Sequence, residues 1–339
     1  MSMINAWAAK SAKGKFEPYQ YDPGPIGPEE VDVEVEYCGV CHSDLSMWDN
    51  EWGITTYPFV PGHEAIGKVV ALGEIAREKG LKPGQRVGVG WNAYSCLYCD
   101  NCLKGEQQLC TTVQPTIVAH HGAFAQQVRS HWVWAVPVPE GVDPSSAGPL
   151  LCGGITVFSP LIDRNIVPTD KVGVFGIGGL GHMAIKFMKA WGCEVTAFTS
   201  SSKKYEEARA FGAAHAVSST DAEQLKQLSG TFDFIVIAVN VSLDWENIIS
   251  LLKPGGKLHL VGAVTEPIPV HAMSLILGKK EISGSPTGSR SQIDQMFRFA
   301  EHHKIMPKVE HFPMSRINEA MEHLRAGKAN YRIVLDADF

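Results

Sequence analysis

Cys96, Cys99, Cys102 and Cys110 read Cys-x2-Cys-x2-Cys-x7-Cys. This spacing lets one short lobe, about residues 92–112, wrap a single ion. Four thiolates suit zinc, which is tetrahedral, redox-inert and tolerant of soft sulfur. Four protein ligands leave no position for a substrate, so this metal would be structural. Cys41, His63 and Cys152 suggest a different chemistry. Two thiolates and one imidazole leave the fourth coordination site of zinc open for water or a substrate oxygen. Spacing does not join these three, because 22 and 89 residues separate them. Taken singly, each reads equally well as a buried small thiol or a satisfied histidine.

A second cluster of chemistry lies in the latter half. Lys171 to Phe175 is a short apolar strand candidate. Gly176-Ile177-Gly178-Gly179-Leu180-Gly181 follows at once, and His182 to Ala190 reads as a helix. Strand, Gly-x-Gly-x-x-Gly and helix, in that order, are what a dinucleotide fingerprint requires. Gly176 makes the tight turn, Gly178 admits the pyrophosphate and Gly181 packs helix on strand. The phosphates then sit at a helix N-terminus. The next strand ends in Thr199-Ser200-Ser201-Ser202-Lys203-Lys204. An NAD site usually carries Asp or Glu there. Hydroxyls and lysines instead accommodate a 2′-phosphate, so the reading is NADP(H), with the same serines able to cap the following helix.

The elements that must position these groups alternate as a parallel sheet requires. Strands are expected at Glu194–Phe198, His215–Val217, Phe234–Val239, Lys257–Val261 and Glu281–Ser283. Helices are expected at Ser202–Phe211, Ala222–Leu228, Leu243–Leu252 and Met273–Gly278, with a turn at Pro254-Gly255-Gly256. The result is an open doubly wound sheet. A chain of 339 residues suggests two domains, and 45% hydrophobic against 19% charged residues can build a packed core. The net charge of −6, without a long basic run, argues against nucleic acid as a partner. Residues 1–10 show no basic stretch followed by an apolar core, so no secretory leader is expected, and the location is read as cytoplasmic. No apolar run is long enough to span a bilayer. Eight cysteines then favour reduced thiols and metal sites over disulfides; six serve the two sites, and Cys38 and Cys193 are packing residues.

Together these motifs resemble the zinc-dependent medium-chain alcohol dehydrogenases, and within them the cinnamyl-alcohol-dehydrogenase-like, NADP-dependent aldehyde reductases. The resemblance runs in order over nearly the whole chain: Cys38 to Leu45, Pro61 to Glu64, the four-cysteine lobe, Leu150 to Thr156, Gly176 to His182, Ser200 to Lys204, Leu260 to Gly262, Gly284-Ser285 and Tyr331-Arg332. It implies an α/β architecture, with a GroES-like, mostly β catalytic domain (1–148 and 287–339) and a Rossmann domain (149–286). Tail helices would lie near Gln292 to His303 and Ile317 to Ala326, with a strand at Arg332 to Leu335. The active site would lie in a cleft between domains, in a homodimer or homotetramer.

The implied reaction interconverts aldehydes and primary alcohols, aromatic or medium-chain aliphatic, with aldehyde reduction favoured. The catalytic zinc would be held by Cys41, His63 and Cys152, with Glu64 ligating it or lying just behind it. Asp44 would orient the His63 ring. Ser43 would pass the proton, but Ser46 stands where many relatives continue the relay with histidine, which leaves the relay's end open; His42 is adjacent. Trp52 and Trp91 would line the substrate pocket. Thr156, Val261, Ser285 and Arg332 would join Gly176 to Gly181, Thr199, Ser200, Ser201 and Lys204 in contacting the cofactor. The rival readings are a zinc polyol or sugar dehydrogenase of the same superfamily and, from another class, a non-catalytic zinc-lobed binding protein.

Overall fold

The computed structural model describes residues 3–339. Its contacts divide the chain into two compact units. One comprises Met1–Ile155 with Thr287–Phe339, and the other Thr156–Pro286. The division falls inside the Gly153–Asp163 helix.

The first unit is mostly antiparallel β-structure. Its longest strand, Glu30–Val40, pairs with Ala65–Leu72, Gln127–His131 and Arg332–Asp336. Alternate residues Val31, Val33 and Val35 point into a core shared with Met47, Phe59, Phe124, Ile333 and Leu335, as the two-residue period of a strand demands. Two registers matter for function. Cys38 lies opposite Ala65 and also opposite Leu335. The segments that follow Cys38, precede Ala65 and surround Arg332 are therefore brought to one end of the sheet.

The second unit carries six parallel strands in the order His215–Ser218, Glu194–Thr199, Lys171–Phe175, Phe232–Ile237, Leu252–Leu260, Glu281–Gly284. Parallel neighbours need helical crossovers, which cover the sheet and explain why Val172 to Phe175 and Phe234 to Ile237 are buried apolar runs without alternation. The first strand lies inside the sheet, and the later ones add on either side of it. The strand order thus reverses beside Lys171–Phe175, the switch point at which open α/β sheets bind ligands.

Two elements differ from expectation. The segment Pro254-Gly255-Gly256 does not separate helix from strand but lies within the Leu252–Leu260 strand. Gly255 takes φ 79°, and the register with the neighbouring strand slips between Phe232 and Phe234, so the turn-forming residues make an irregularity in the ladder. The expected Ser202–Phe211 helix begins as a 3₁₀ turn, Ser202–Lys204, and becomes α-helical over Tyr205–Ala210. Among the described residues, no single helix is long and apolar enough to cross a membrane.

His259 is fully buried in the Leu252–Leu260 strand and contacts Ser283 Oγ and Ser285 Oγ, each at 2.9 Å. Burial, with the Arg164 charge assisting, pushes its pKa down to about 4. Above the ordinary value near 6.5 the ring is neutral in both folded and unfolded chains. Below it, the unfolded chain gains a proton that the fold refuses, so stability falls with pH by up to about 1.4 kcal/mol per unit. In urea unfolding, the stability difference between wild type and His259→Leu should therefore shift against wild type by about 2 kcal/mol between pH 7 and 4.5. A difference independent of pH would contradict this.

Candidate active site and metal centres

Cys41 caps the N-terminus of the His42–Trp48 helix, directly after the long strand ends at Val40. His63 and Glu64 lie in the segment leading into the Ala65–Leu72 strand. Cys152 joins a 3₁₀ turn, Gly148–Leu151, to the Gly153–Asp163 helix. The side chains converge: Sγ of Cys41, a ring nitrogen of His63, a carboxylate oxygen of Glu64 and Sγ of Cys152 all lie within 4.8 Å of one another. The two sulfurs are 3.8 Å apart, far beyond the roughly 2.05 Å of a disulfide.

Asp44 organises this cluster from 0% exposure. One carboxylate oxygen accepts the Cys41 N–H at 2.9 Å. The other accepts the Gly62 N–H at 2.9 Å and lies 3.0 Å from His63 Nδ1. An ionised carboxylate is acceptor-only, so Nδ1 carries a proton, and in the neutral ring that a metal would take Nε2 presents a lone pair. His63 Nε2 is buried and has no hydrogen-bond partner. A buried, unpaired acceptor aimed at two thiols is costly unless a cation fills the space.

Glu64 is held from behind. Its Oε1 accepts from Arg332 Nη2, both side chains being buried, while Oε2 has no partner. Gly39 makes room for it, because a Cβ there would lie 2.0 Å from Oε2. Hydrogen bonding from Cys152 holds the Cys41 thiol well below its usual range. The same bond, with burial, pushes the Cys152 thiol well up. Burial opposes charge on His63, but the Asp44 carboxylate outweighs it and raises the ring's pKa. Burial raises Glu64 to about 7 despite Arg332. These shifts come from thiols and acids crowded together out of water.

Trp91 sets its ring edge-on to His63, with centroids 5.0 Å apart, and Trp52 packs against Trp91 at 6.1 Å. Trp52 is 36% exposed, so the pair reaches from the His63 ring to solvent. Ser43 Oγ lies 3.7 Å from Cys41 Sγ. Ser46 is buried, whereas His42 is exposed at the head of the helix.

The second cluster is the four-cysteine lobe, whose sulfurs also lie within 4.8 Å of one another. Backbone N–H groups point at them: Cys99 N donates to Cys96 Sγ, and Cys96 N and Thr112 N to Cys110 Sγ. Such bonds favour thiolates. The N–H groups of Cys102 and Thr111 likewise lower Cys99 to about 6.

In the parallel sheet, the glycine loop leaves the end of Lys171–Phe175 with Gly176 at φ 90°. A Cβ on Gly181 would strike Gly176 O at 1.8 Å, whereas one on Gly178 would meet nothing within 4 Å. The first approach packs helix on strand; the second leaves an open cradle. Lys204 reaches back to donate to Ile177 O at 2.9 Å. Ser200 and Ser201 lie beside it, and Thr199 Oγ1 accepts the Ser201 N–H. Thr156 is buried, while Val261 and Ser285 are partly exposed at their strand ends.

Residues 27–140 match the alcohol dehydrogenase GroES-like domain, and residues 179–302 match the zinc-binding dehydrogenase family. An aldehyde reductase of Synechocystis is 51% identical, covering 98% of each chain. The chain belongs to the zinc-binding, medium-chain alcohol dehydrogenases. A probable cinnamyl alcohol dehydrogenase of Arabidopsis thaliana is 39% identical, covering 97% of this chain and 93% of that one. Among solved structures, the Sorghum bicolor cinnamyl alcohol dehydrogenase superposes with TM-score 0.93 at 35% identity, covering 99% of this chain and 98% of that one. A Helicobacter pylori cinnamyl alcohol dehydrogenase complexed with NADP(H) gives 0.90 at 31%, covering 98% of each. These likenesses identify the first unit as GroES-like and the parallel sheet as Rossmann-type, and make this alcohol dehydrogenase an aldehyde–alcohol oxidoreductase.

Sequence reasoning named the members of both clusters and, through the resemblance, Asp44 beside His63, but not the Arg332–Glu64 clamp. The pairing of Arg332 with Glu64 joins residues 268 apart and leaves no local trace. The bond from Cys41 N to Asp44 did leave one, the three-residue spacing of a capping box. Asp44→Ala strands three buried donors and should cost about 3–5 kcal/mol in chemical denaturation. A cost under about 1 kcal/mol would contradict the role given to Asp44.

Proposed function

We propose that the chain is a zinc-dependent, NADP(H)-linked aldehyde reductase. The 1–148 and 287–339 portion would be catalytic, and 149–286 would bind the cofactor. The observation that carries this reading is the buried donor set of Cys41, His63 and Cys152, with an orphaned Nε2 facing two sulfurs. Two thiolates and one imidazole are a catalytic zinc set with one position open. Glu64, tied to Arg332 at one oxygen, stands as an alternative ligand when substrate is absent. Zinc held there supplies a Lewis acid for a carbonyl or alcohol oxygen, and NADPH supplies the hydride.

The chain's own side chains do the rest. Asp44 fixes the His63 tautomer and ring plane, as outer partners of metal-bound histidines do. Trp91 and Trp52 present a flat apolar wall that favours aromatic or slender aldehydes, benzyl and cinnamyl types above branched ones. Ser43 is the hydroxyl that passes a proton to and from the substrate oxygen. Ser46 has no titrating group, so the relay ends without the imidazole that a histidine would supply.

For the cofactor, Gly176 to Gly181 cradle the pyrophosphate at the head of the Gly181–Trp191 helix, and the open space at Gly178 supports this. Ser200, Ser201 and Lys204 hold a 2′-phosphate, with Lys204 already anchored to the glycine loop. Thr199, Thr156, Val261 and Ser285 complete the contacts; Arg332, expected among them, is instead buried against Glu64. Cys96, Cys99, Cys102 and Cys110 hold the structural zinc. A homo-oligomer is supported by the exposed Met273, Ile276 and Leu277, which precede the edge strand Glu281–Gly284.

Mass spectrometry under native conditions should find two zinc ions per chain. Cys152→Ser should lose one zinc and nearly all turnover with the fold intact, whereas Cys96→Ser should lose thermal stability. Full turnover by Cys152→Ser would refute the mechanism. In steady-state reduction of cinnamaldehyde, Lys204→Glu should raise KM for NADPH about tenfold or more beyond any rise for NADH, the weight of one charged hydrogen bond. Equal efficiency of wild type with NADH and NADPH would refute the cofactor assignment.

A further inference from the structure

His259 is a buried ring that the reaction proposed above does not use. It lies one residue before the C-terminal end of its strand, in parallel register with Ser283 of the Glu281–Gly284 edge strand. Ser285, two residues further along, follows directly after that strand. The imidazole bridges the two serines, Nδ1 to Ser283 Oγ and Nε2 to Ser285 Oγ, each at 2.9 Å. Phe234 lies on the adjacent strand, its ring 6.0 Å from the imidazole.

The direction of this chain of hydrogen bonds can be read. Ser283 Oγ also lies within reach of Leu258 O, at 3.4 Å. The tautomer with the proton on Nδ1 is the one that lets Ser283 accept from the ring and still donate to that carbonyl. In a neutral ring Nε2 is then an acceptor, and its donor is Ser285. The charges nearby are Arg164, whose field disfavours a protonated ring, and Lys257, whose ammonium donates to Arg164 O at 2.6 Å. Burial, with the Arg164 charge, keeps the imidazole neutral. The chain runs Ser285 Oγ–H to Nε2, Nδ1–H to Ser283 Oγ, and Ser283 Oγ–H to Leu258 O. It ends on the partly exposed Ser285, whose proton is then committed to the ring and whose oxygen is left to accept.

The place of Ser285 says what it meets. The glycine loop follows Lys171–Phe175, and the serines assigned to the 2′-phosphate follow Glu194–Thr199, the next strand on one side. A dinucleotide crossing the sheet at the switch point carries its other half the opposite way, over the ends of Phe232–Ile237, Leu252–Leu260 and Glu281–Gly284. We propose that His259 is a positioning residue for the nicotinamide ring: it locks the Ser285 hydroxyl as an acceptor for the carboxamide N–H. The inference rests on the cofactor reading given above. It gives Ser285 a discriminating role, because a ring substituent without an N–H donor gains nothing there, and it gives His259 a function without contact with the cofactor.

The test measures binding by titration calorimetry and needs no turnover. The probes are NADP+, its 3-acetylpyridine analogue, which lacks the carboxamide N–H, and 2′,5′-ADP, which lacks the nicotinamide half. Ser285→Ala and His259→Leu should each raise Kd for NADP+ about threefold to tenfold, the weight of one neutral hydrogen bond. The double variant should be no weaker than either single. The acetylpyridine analogue and 2′,5′-ADP should bind wild type and variants alike. His259→Gln, whose amide oxygen can still accept from Ser285, should retain most of the NADP+ affinity, and it and Ser285→Ala report even if His259→Leu folds poorly. Unchanged NADP+ affinity in the variants, or equal weakening of 2′,5′-ADP, overturns the inference while leaving the cofactor reading in place. A wild type that binds neither NADP+ nor 2′,5′-ADP overturns the cofactor reading itself.

Discussion

Two thiols, an imidazole nitrogen and a carboxylate oxygen are forced to share one buried spot, and much of the first unit follows from making that tolerable. Charges withdrawn from water need partners, and like groups crowded together depress or raise one another's proton affinities. Arg332 supplies one fixed positive charge, directed at Glu64. It does not reach the unpaired His63 Nε2. A divalent ion held by Cys41, His63 and Cys152 would satisfy these donors at once, which is why the arrangement is read as a metal centre rather than a packed core.

The backbone that creates this spot is ordinary β-structure put to a specific use. The Glu30–Val40 strand delivers Cys41 to a helix start, and its pairing with Ala65–Leu72 delivers His63 beside it. Asp44 ties the two deliveries together through Cys41 N, Gly62 N and His63 Nδ1. Gly39 and Gly148 let the strands and the Cys152 turn close up, since a Cβ on either would collide with Glu64. The Rossmann unit separates roles in the same way. In the proposed reading, loop geometry at Gly176 to Gly181 would make the anion site, while side-chain chemistry at Ser200, Ser201 and Lys204 would set which nucleotide suits it.

What could be read from the chain depended on how far apart the cooperating residues are. The four-cysteine lobe is local, so spacing alone announced it. The parallel sheet was legible because strands buried on both faces are continuous apolar runs and the glycine loop sits between strand and helix. The proposed catalytic set was legible from spacing only as residue types, and it was the family resemblance that joined its members. What unites Cys41 with His63 is a strand register, and Cys152 reaches them only through the folded sheet. The Arg332–Glu64 pair and the His259–Ser285 chain were invisible for the same reason, being long-range contacts between single residues with no pattern around them. The misplaced turn at 254–256 shows the converse: strong turn residues were overridden by ladder pairing on either side.

Whether the second ion sits on two sulfurs and an imidazole can be measured directly by X-ray absorption at the zinc edge of the fully loaded protein. Four thiolates in the lobe, with Cys41, Cys152, His63 and one oxygen in the other site, predict an average first shell of sulfur and light atoms near three to one. A shell of sulfur alone, with one zinc per chain, would contradict the assignment of Cys41, His63 and Cys152 as a catalytic metal site.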